Sequence, residues 1–412
     1  MNLTIEKLQK YQIIKSEYKD YTPDGQFWID AFEHIPSKSQ ELSPWFNAGL
    51  KARSVDIFFK ALELQTIFIS LASKQIKANI ELLVCHFSRK ITTISNADLK
   101  GIWNTLFLLI PVISTTFASV SSLFKGLGAD TFGWLFIDEA GQAVPQAAAG
   151  AVFRCKRVIV VGDPLQIEPV VTLPQKVFDY IRTENEVSSD ILSSKVSVQT
   201  FYDNINPYGS YIGDNLWIGS PLKIHRRCAD PMFRIANDIA YDNIMQNANR
   251  DKPVPRMGSL YSRYDNITGS CTVRQFVPEQ GAHAIKLIEE YFHSLEDKDK
   301  FSLFIITPFK AVASEFRKQV KSSLPVIISQ KLQGKIGTVH TFQGKEADIV
   351  LFLSGCDESK KGAIGWADSS PNLLNVALTR AKKIFIAIGE KRLYNNTRYF
   401  SKMIKELSDG FL

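Results

Sequence analysis

The chain has 412 residues, of which 45% are hydrophobic and 22% are charged. These shares are typical of folded proteins and argue against a disordered or fibrous chain. The length favours two domains, although one larger α/β unit would also fit. A net charge of +7 is compatible with a polyanionic partner, and equally with lysines scattered over a soluble protein.

Five cysteines are widely spaced and form no C-x-x-C pair, so neither a disulfide framework nor a zinc knuckle is predicted. This usage favours a reducing, cytoplasmic location. His225 and Cys228 form an H-x-x-C pair, but no second pair completes a tetrahedral site, and we expect no metal beyond magnesium. The most apolar stretch, residues 102–113, is too short to span a bilayer, and the N-terminus has no signal pattern. No membrane role is therefore predicted.

In chain order, residues 1–54 show no clean period, and residues 55–87 carry apolar side chains at helical spacing, which predicts one or two core helices. Five short apolar runs follow, typical of buried parallel strands: residues 134–137, 157–161, 303–306, 349–353 and 384–388. Helical patterns lie between them at residues 282–292, 311–320 and 372–382. The alternation predicts an α/β fold with a doubly wound parallel sheet, and the polar stretch 172–220 predicts a domain boundary near Ser220.

Two adjacent carboxylates, Asp138 and Glu139, directly follow the first of these strands, at the end where open α/β sheets bind ligands. One carboxylate can hold a magnesium ion that bridges phosphate oxygens, while its neighbour orients or deprotonates an attacking water. A second strand, residues 157–161, delivers Gly162 and Asp163 to the same edge. We therefore expect the two loops to converge. An isolated Asp-Glu pair in a solvated loop is the alternative reading.

The sequence around these loops resembles superfamily 1 helicases. FIDEAGQA and VVGDPLQIEPV are similar to motifs II and III of that family, HRRCADPMF to its arginine motif, and ITPFK, GTVHTFQGKEADIVLF and NVALTRAKK to the later motifs of its second motor domain. The sequences VHTFQGKEAD and NVALTRAK most resemble the motifs of the branch that contains nonsense-mediated-decay helicases and their bacterial relatives. The resemblance covers residues 111–390, with the motifs in family order.

The resemblance implies a P-loop NTPase-like fold of two tandem RecA-like domains, the first incomplete at its N-terminus. It divides the chain into an unassigned segment 1–54, a first RecA-like domain 55–220 and a second 221–412. It also implies ATP and Mg²⁺ as cofactors and single-stranded DNA or RNA as partner. Members of this branch usually move along nucleic acid from 5′ to 3′, and this direction of movement is implied by the resemblance alone.

The site residues implied by the resemblance are those that match its motifs. Asp138 is expected to hold Mg²⁺, Glu139 to act on the water and Gln166 to sense the terminal phosphate, with Gly162 and Asp163 beside the nucleotide. Arg227 and Arg380 are expected to donate to phosphate oxygens, for which the forked guanidinium is suited, and Arg226 could replace Arg227. Glu346 is expected to couple nucleotide state to the nucleic-acid track.

Six hydroxyl and imidazole side chains match positions on the nucleic-acid side of the family, where contacts to phosphates carry no base preference. They are Ser114, Thr115, Thr116, Thr338, His340 and Thr341. Ordinary capping at strand ends is the alternative. Trp103, Trp134, Trp217 and Trp366 lie in apolar runs or loops and could stack on bases, but core packing is the commoner role of tryptophan, and none of them is assigned to the site.

The sequence contains no G-x-x-x-x-G-K-[ST] string, the phosphate-binding loop of such motors. The nearest strings, LQGKIGT (332–338) and FKGLGAD (124–130), have the wrong spacing. Two hypotheses remain: the C-terminal part of a helicase whose loop lies upstream or on a partner chain, and a truncated nucleic-acid-binding remnant that does not hydrolyse ATP. A product without function is a third possibility, and a two-metal nuclease is disfavoured because it needs further carboxylates.

Overall fold

The computed structural model of the protein describes residues 48–91, 94–169, 171, 173–189, 191–212, 216–250 and 252–408, together with residues 10, 12, 13 and 16. Residues 1–54, to which the sequence analysis assigns no role, lie largely outside this set. The chain divides into two compact units. The first comprises residues up to 133 together with 150–156, and the second comprises residues 134–149 and 157–412.

The first unit is helical in its described part. Its helices are α1 (Ala48–Leu71), α2 (Ser73–Phe87), α3 (Asn96–Leu109) and α4 (Phe117–Leu123). The Ser95 hydroxyl caps α3 by accepting a hydrogen bond from the Asp98 backbone N–H at 3.1 Å, as expected for serine at this position. Trp103 of α3 is 1% exposed, and its ring lies 5.0 Å from that of Phe124. This aromatic contact lies at the centre of the unit's core.

The expectation that residues 55–87 form core helices is wrong for α1. Phe58, Phe59 and Leu64 of this helix are 58%, 58% and 70% exposed among the described residues. The apolar side chains of α1 lie around the helix and not in one stripe, so a single packed face cannot bury them all. In α2, by contrast, Leu83 is 3% exposed.

The second unit begins with a small parallel sheet, β1 (Leu135–Ile137) and β2 (Val158–Val160), in the register Ile137 to Val160. Helix α5 (Pro145–Phe153) connects these strands. The prediction of two parallel strands is confirmed, but their burial was overestimated, since Phe136 is 68% and Ile159 is 38% exposed. One face of this two-stranded sheet is uncovered among the described residues.

The polar stretch that the sequence analysis took as a separator contains regular structure. Helices α6 (Gln175–Asn185) and α7 (Val198–Ile205) are followed by the hairpin of β3 (Gly209–Ile212) and β4 (Leu216–Gly219). Ser197 caps α7 in a reciprocal capping box with Thr200. The domain boundary at Ser220 stays a prediction.

A five-stranded parallel sheet forms the centre of the second unit, in the order β7-β11-β10-β8-β9. Its strands are β7 (Arg263–Asn266), β8 (Leu303–Thr307), β9 (Ile336–Thr338), β10 (Ala347–Leu353) and β11 (Ala381–Gly389). In the three central strands Ile305, Phe352 and Phe385 are each 0% exposed, as expected for strands covered on both faces. The predicted α/β class with a parallel sheet is confirmed.

The remaining elements of this unit connect and cover the sheet. They are β5 (Ile224–His225), α8 (Met232–Ala240), β6 (Gln246–Asn247), α9 (Pro278–Ser294), α10 (Lys310–Ser323), α11 (Val326–Lys331), α12 (Lys361–Ala367), α13 (Asn372–Thr379), α14 (Lys391–Tyr394) and α15 (Phe400–Ser408). In the described part of the chain, no helix has the length and apolar character needed to span a membrane.

The predicted helix at residues 372–382 ends three residues early. Helix α13 stops at Thr379, and Ala381 already begins β11. The Arg380 carbonyl accepts a hydrogen bond from the Ala347 backbone N–H of β10 at 3.0 Å. Pairing with the neighbouring strand therefore overrides the local helical pattern.

Candidate functional site

The loops that follow β1 and β2 are in direct backbone contact, as the sequence analysis expected. The Ala140 N–H donates to the Val161 carbonyl at 3.0 Å. A Cβ atom added to Gly162 would lie 2.9 Å from the backbone nitrogens of both Ala140 and Gly141, so a side chain at position 162 would push the loops apart. Glycine is required there because two backbones meet.

Glu139 is held in a left-handed backbone conformation, with φ at 53°. Its N–H donates to Oδ1 of Asp138 at 2.9 Å, and its Oε2 accepts a hydrogen bond from Nε2 of Gln142 at 2.9 Å. Its other oxygen, Oε1, lies 3.7 Å from the position that a Cβ atom on Gly344 would occupy. Non-glycine residues in this conformation cluster at functional sites, where the surrounding contacts offset the strain.

The Asp138 side chain is exposed and could serve as one ligand of Mg²⁺. Protein-bound Mg²⁺ takes one or two carboxylates and completes its shell with water and substrate phosphates. Within the described ranges, no group of three or more His, Cys, Asp and Glu side chains is arranged to hold a metal ion.

The loop after β2 is tied to α8 and α13 by a hydrogen-bond network that the sequence analysis missed. Asp163 accepts hydrogen bonds at Oδ2 from Nε2 of Gln166 at 3.1 Å and from the Tyr241 hydroxyl. Nδ2 of Asn375 donates to the Tyr241 hydroxyl and to the Leu165 carbonyl, each at 2.9 Å. Burial, and then the Asp163 charge, raise the pKa of Tyr241 well above its usual value, so its hydroxyl stays protonated and donates.

Gln166 also takes part in this network. The backbone carbonyl of Gln166 accepts a hydrogen bond from Nδ2 of Asn372. Its buried side-chain oxygen, Oε1, has no hydrogen-bond partner among the described residues. A buried polar atom without a partner is costly and is usually explained by a ligand or a water. This atom is an acceptor, so it suits a donor such as water and not a phosphate oxygen.

Arg380 is almost fully buried, with 1% of its surface exposed. Its guanidinium donates to the carbonyls of Val376 at 3.1 Å and Lys345 at 3.0 Å, and to the Thr379 hydroxyl at 3.2 Å. These three acceptors are neutral. Burial, and then the nearby charge of Arg227, lower the pKa of Arg380. A buried cation that donates only to neutral acceptors is a favourable place for an anion.

Arg227 and Glu346 form an ion pair, with Nε 3.2 Å from Oε2. The other oxygen of Glu346 lies 3.3 Å from Nζ of Lys382. Both side chains of the Arg227–Glu346 pair are more than 40% exposed, and such pairs contribute only about 0–1 kcal/mol, so a ligand can replace either contact. The structure brings Arg227, and not its neighbour Arg226, against Glu346.

A cavity of about 1090 Å³ borders this group of residues. Gly162, Asp163, Gln166, Arg227 and Glu346 line one part of it, and the edge of β2 lines another. Asp138, Glu139 and Arg380 are not part of its wall. A cavity of this size is sufficient for a nucleotide-sized ligand.

The predicted nucleic-acid residues fall into two groups. Thr338 ends β9, and His340 and Thr341 follow in a 3-10 turn (Val339–Phe342) of the second unit. His340 and Thr341 are exposed. Ser114, Thr115 and Thr116 belong to the first unit, where they are exposed between α3 and α4.

His225 illustrates a role that the sequence pattern did not reveal. Its Nε2 accepts a hydrogen bond from the Cys228 backbone N–H at 2.8 Å, which requires a neutral ring at that nitrogen. Burial, and then the Arg227 charge, lower the pKa of His225 from 6.5 to about 4. The H-x-x-C pair is thus a local hydrogen-bonded turn.

The buried His225 is expected to make stability depend on pH. Its folded-state pKa of about 4 lies below the unfolded value of 6.5, so between these pH values the unfolded chain binds the extra proton. The contribution of neutral His225 to the free energy of unfolding is fully present above pH 6.5 and is lost as the pH falls toward 4. The total loss is about 3 kcal/mol. Denaturant unfolding from pH 4.5 to 7.5 measures this slope.

In His225→Gln the free energy of unfolding should depend less on pH between 4.5 and 7.5, because glutamine does not titrate. The amide oxygen can still accept the hydrogen bond from the Cys228 N–H, so the turn should be kept. The dependence that carboxylates contribute should remain. His293→Gln, at an exposed position, is the control and should keep the wild-type slope. Equal slopes in wild type and His225→Gln would contradict a buried neutral imidazole.

Comparisons with known proteins agree with the motifs. Residues 73–173 and 262–392 match two families that are each described as an AAA domain. The chain is 25% identical over 303 residues to human probable helicase senataxin, covering 70% of this chain and 10% of that protein. It is 26% identical over 300 residues to a Drosophila melanogaster homolog of regulator of nonsense transcripts 1, covering 68% and 23%.

The chain is 23% identical over 313 residues to yeast (Saccharomyces cerevisiae) helicase SEN1, covering 72% of this chain and 13% of that protein. Among solved structures, an arterivirus nonstructural protein 10 (helicase) in complex with DNA is 13% identical, with a TM-score of 0.31 and coverage of 66% and 42%. The chain spans about a tenth to a quarter of the length of these three curated relatives. The ordered motifs, the two matched AAA-domain families and the curated relatives together show that the chain belongs to the superfamily 1 helicases, in the branch that contains the nonsense-mediated-decay helicases.

Proposed function

We propose that this chain is the C-terminal part of an ATP-dependent helicase or translocase that couples ATP hydrolysis to movement on single-stranded DNA or RNA. The observation that carries the proposal is the buried guanidinium of Arg380, which bonds only to neutral acceptors among the described residues. Transfer of a phosphoryl group spreads negative charge over oxygens that a guanidinium can contact. A phosphate beside Arg380 would offset the cost of its burial.

The acidic loop supplies the other half of this chemistry. Asp138 would hold Mg²⁺, whose positive charge would offset that of phosphate oxygens, and Glu139 would orient the attacking water and accept its proton. The contact of Glu139 with Gln142, and its approach to Gly344, fix the direction of the carboxylate. Gln166 would contact the terminal phosphate through its Nε2 group, since its unpaired Oε1 is an acceptor and can bond only to a donor such as water.

Arg227 and Glu346 would connect the nucleotide to the nucleic-acid track. Their ion pair is exposed, and a phosphate that attracts Arg227 would release Glu346. Thr338, His340 and Thr341 lie a few residues before Glu346 in the chain. A movement of Glu346 would therefore move these residues, which are proposed to contact the nucleic acid. Ser114, Thr115 and Thr116, which belong to the first unit, are proposed to contact nucleic-acid phosphates.

The proposal requires a phosphate-binding loop, which we propose is encoded upstream or lies on a partner chain. The Arg157 carbonyl and the Val161 N–H bond to β1, so the backbone groups of Val158 and Val160 point toward the opposite edge of β2. That edge borders the cavity. A parallel strand added there would place its following loop beside Gly162 and Asp163, because parallel strands end at the same edge.

A second candidate function is a binding module that retains the nucleic-acid track without hydrolysing ATP. The absence of any G-x-x-x-x-G-K-[ST] string from the sequence favours it. Such a module would bind single strands through phosphate contacts and would lose affinity as salt concentration rises.

The test begins with the nucleotide sequence upstream of the Met1 codon. If it encodes an apolar strand followed by a phosphate-binding loop, that segment is expressed together with this chain to give what we call the assembled motor. Hydrolysis of ATP stimulated by single-stranded nucleic acid would support the first function. Salt-sensitive binding by the chain without hydrolysis would support the second, and the absence of both would contradict both.

A further inference from the structure

An exposed tryptophan lies near the carboxyl edge of the central sheet. Trp366 of α12 is 57% exposed, although tryptophan is highly buried on average. Its ring packs on that of Phe309, with centroids 5.9 Å apart and an interplanar angle of 41°. Phe309 is itself only 7% exposed. The indole is therefore held in place from one side while much of its surface faces solvent.

The surface beside this ring is open. Gly365 precedes Trp366, and Gly362 lies one helical turn before it on the same face of α12. A Cβ atom added to either glycine would meet no atom within 4 Å among the described residues. The helix therefore leaves room for a flat group to lie against the indole.

Positive charge lies beside Phe309. Lys310 is exposed and begins α10, a helix whose N-terminus carries partial positive charge. The ends of β8 and β9 are paired through Thr307 and Thr338, which brings the residues after both strands to one edge. Partial burial of its imidazole, and then the Lys310 charge, lower the pKa of His340, as expected for side chains at the same edge.

We propose that Trp366 stacks on an unpaired base of a single-stranded nucleic acid whose phosphates lie along Lys310 and the segment from Thr338 to Thr341. The inference rests on the nucleic-acid binding of the proposed function and assigns it a base-contacting residue. Stacking on an aromatic ring accepts every base, because each base has a π face. This is the contact that a protein following a strand of any sequence requires.

The experiment compares the affinity of wild type, Trp366→Ala and Trp366→Phe for a fluorescent single strand at low ionic strength. Trp366→Ala is expected to weaken binding about 5- to 100-fold, the range measured for loss of one stacked base. Trp366→Phe should retain most of the affinity. A strand of abasic sites, which keeps the phosphates and lacks the bases, should bind wild type and Trp366→Ala equally.

Trp134→Ala is the matched control. Trp134 is 55% exposed, but the guanidinium of Arg157 lies 5.2 Å from the centroid of its ring, so this face is already in contact with a cation. Its removal should leave affinity within about 2-fold of wild type, a change under 0.5 kcal/mol. Binding should also quench tryptophan fluorescence in wild type and not in Trp366→Phe.

The outcomes separate this inference from the proposed function. If wild type binds single strands and Trp366→Ala binds them equally well, the stacking role is wrong and the proposed function stands. If Trp366→Ala loses the same affinity for abasic strands, the residue supports the fold or the backbone contact, and stacking is again wrong. If wild type binds no single strand at low ionic strength, the nucleic-acid part of the proposed function and this inference both fail.

Discussion

Replacement of Glu139 by glutamine is expected to lower ATP hydrolysis by the assembled motor about 100- to 10,000-fold, the range for loss of a general base. The amide keeps an oxygen that can accept the Gln142 hydrogen bond seen at Oε2, so the loop should keep its conformation. It cannot accept a proton from water at neutral pH. Steady-state hydrolysis with saturating single strand measures the loss, and nucleotide affinity should remain close to that of wild type.

Asp138→Asn distinguishes the two carboxylates. If Asp138 holds Mg²⁺, this variant should require a higher Mg²⁺ concentration for half-maximal hydrolysis, while Glu139→Gln should not change that requirement. Full hydrolytic activity in Glu139→Gln would contradict the assignment of Glu139 and the enzyme proposal with it.

Replacement of Arg380 by alanine is expected to reduce hydrolysis about 1,000- to 100,000-fold, as for loss of an arginine that contacts the transferred phosphoryl group. Arg380→Lys should recover little of this rate, because an ammonium group cannot donate in the fixed fork of a guanidinium. Single-turnover hydrolysis at saturating ATP separates the chemical step from nucleotide binding.

The burial of Arg380 makes a stability control necessary. Its guanidinium donates to the carbonyls of Val376 and Lys345 and to the Thr379 hydroxyl, so the variants could lose folding as well as chemistry. The free energy of unfolding of Arg380→Lys should stay within about 1–3 kcal/mol of wild type, the cost of hydrogen bonds left unmade. Arg392→Ala, a surface arginine paired with Glu358 and Glu390, should keep the wild-type rate. A folded Arg380→Ala that hydrolyses ATP at the wild-type rate would refute the role.

The central sheet was predictable because its strands carry their signal locally. The runs at residues 303–306, 349–353 and 384–388 are apolar at nearly every position, which only a strand covered on both faces requires. They correspond to β8, β10 and β11. The pairing of Ala347 with Ala381 was not predictable, and it is this contact that ends α13 before Arg380.

The site was predictable to the extent that its residues lie in contiguous motifs. Asp138, Glu139, Gly162 and Asp163 follow predicted strands directly, so their meeting at one edge follows from parallel pairing. Tyr241 lies in no such motif, and nothing in the sequence connects it with Asp163, 78 residues earlier. The tertiary structure alone identifies it.

The sequence by itself determined the family and the α/β class and predicted which side chains are directed at phosphates, because strand runs and motifs are local properties of a chain. Only the tertiary structure decided that Arg380 is buried among neutral acceptors, that His225 is a neutral hydrogen-bond acceptor, and that α1 exposes its apolar residues. Burial and partner choice depend on which distant segments pack together. Two residues with the same local pattern can therefore differ in pKa, charge state and accessibility.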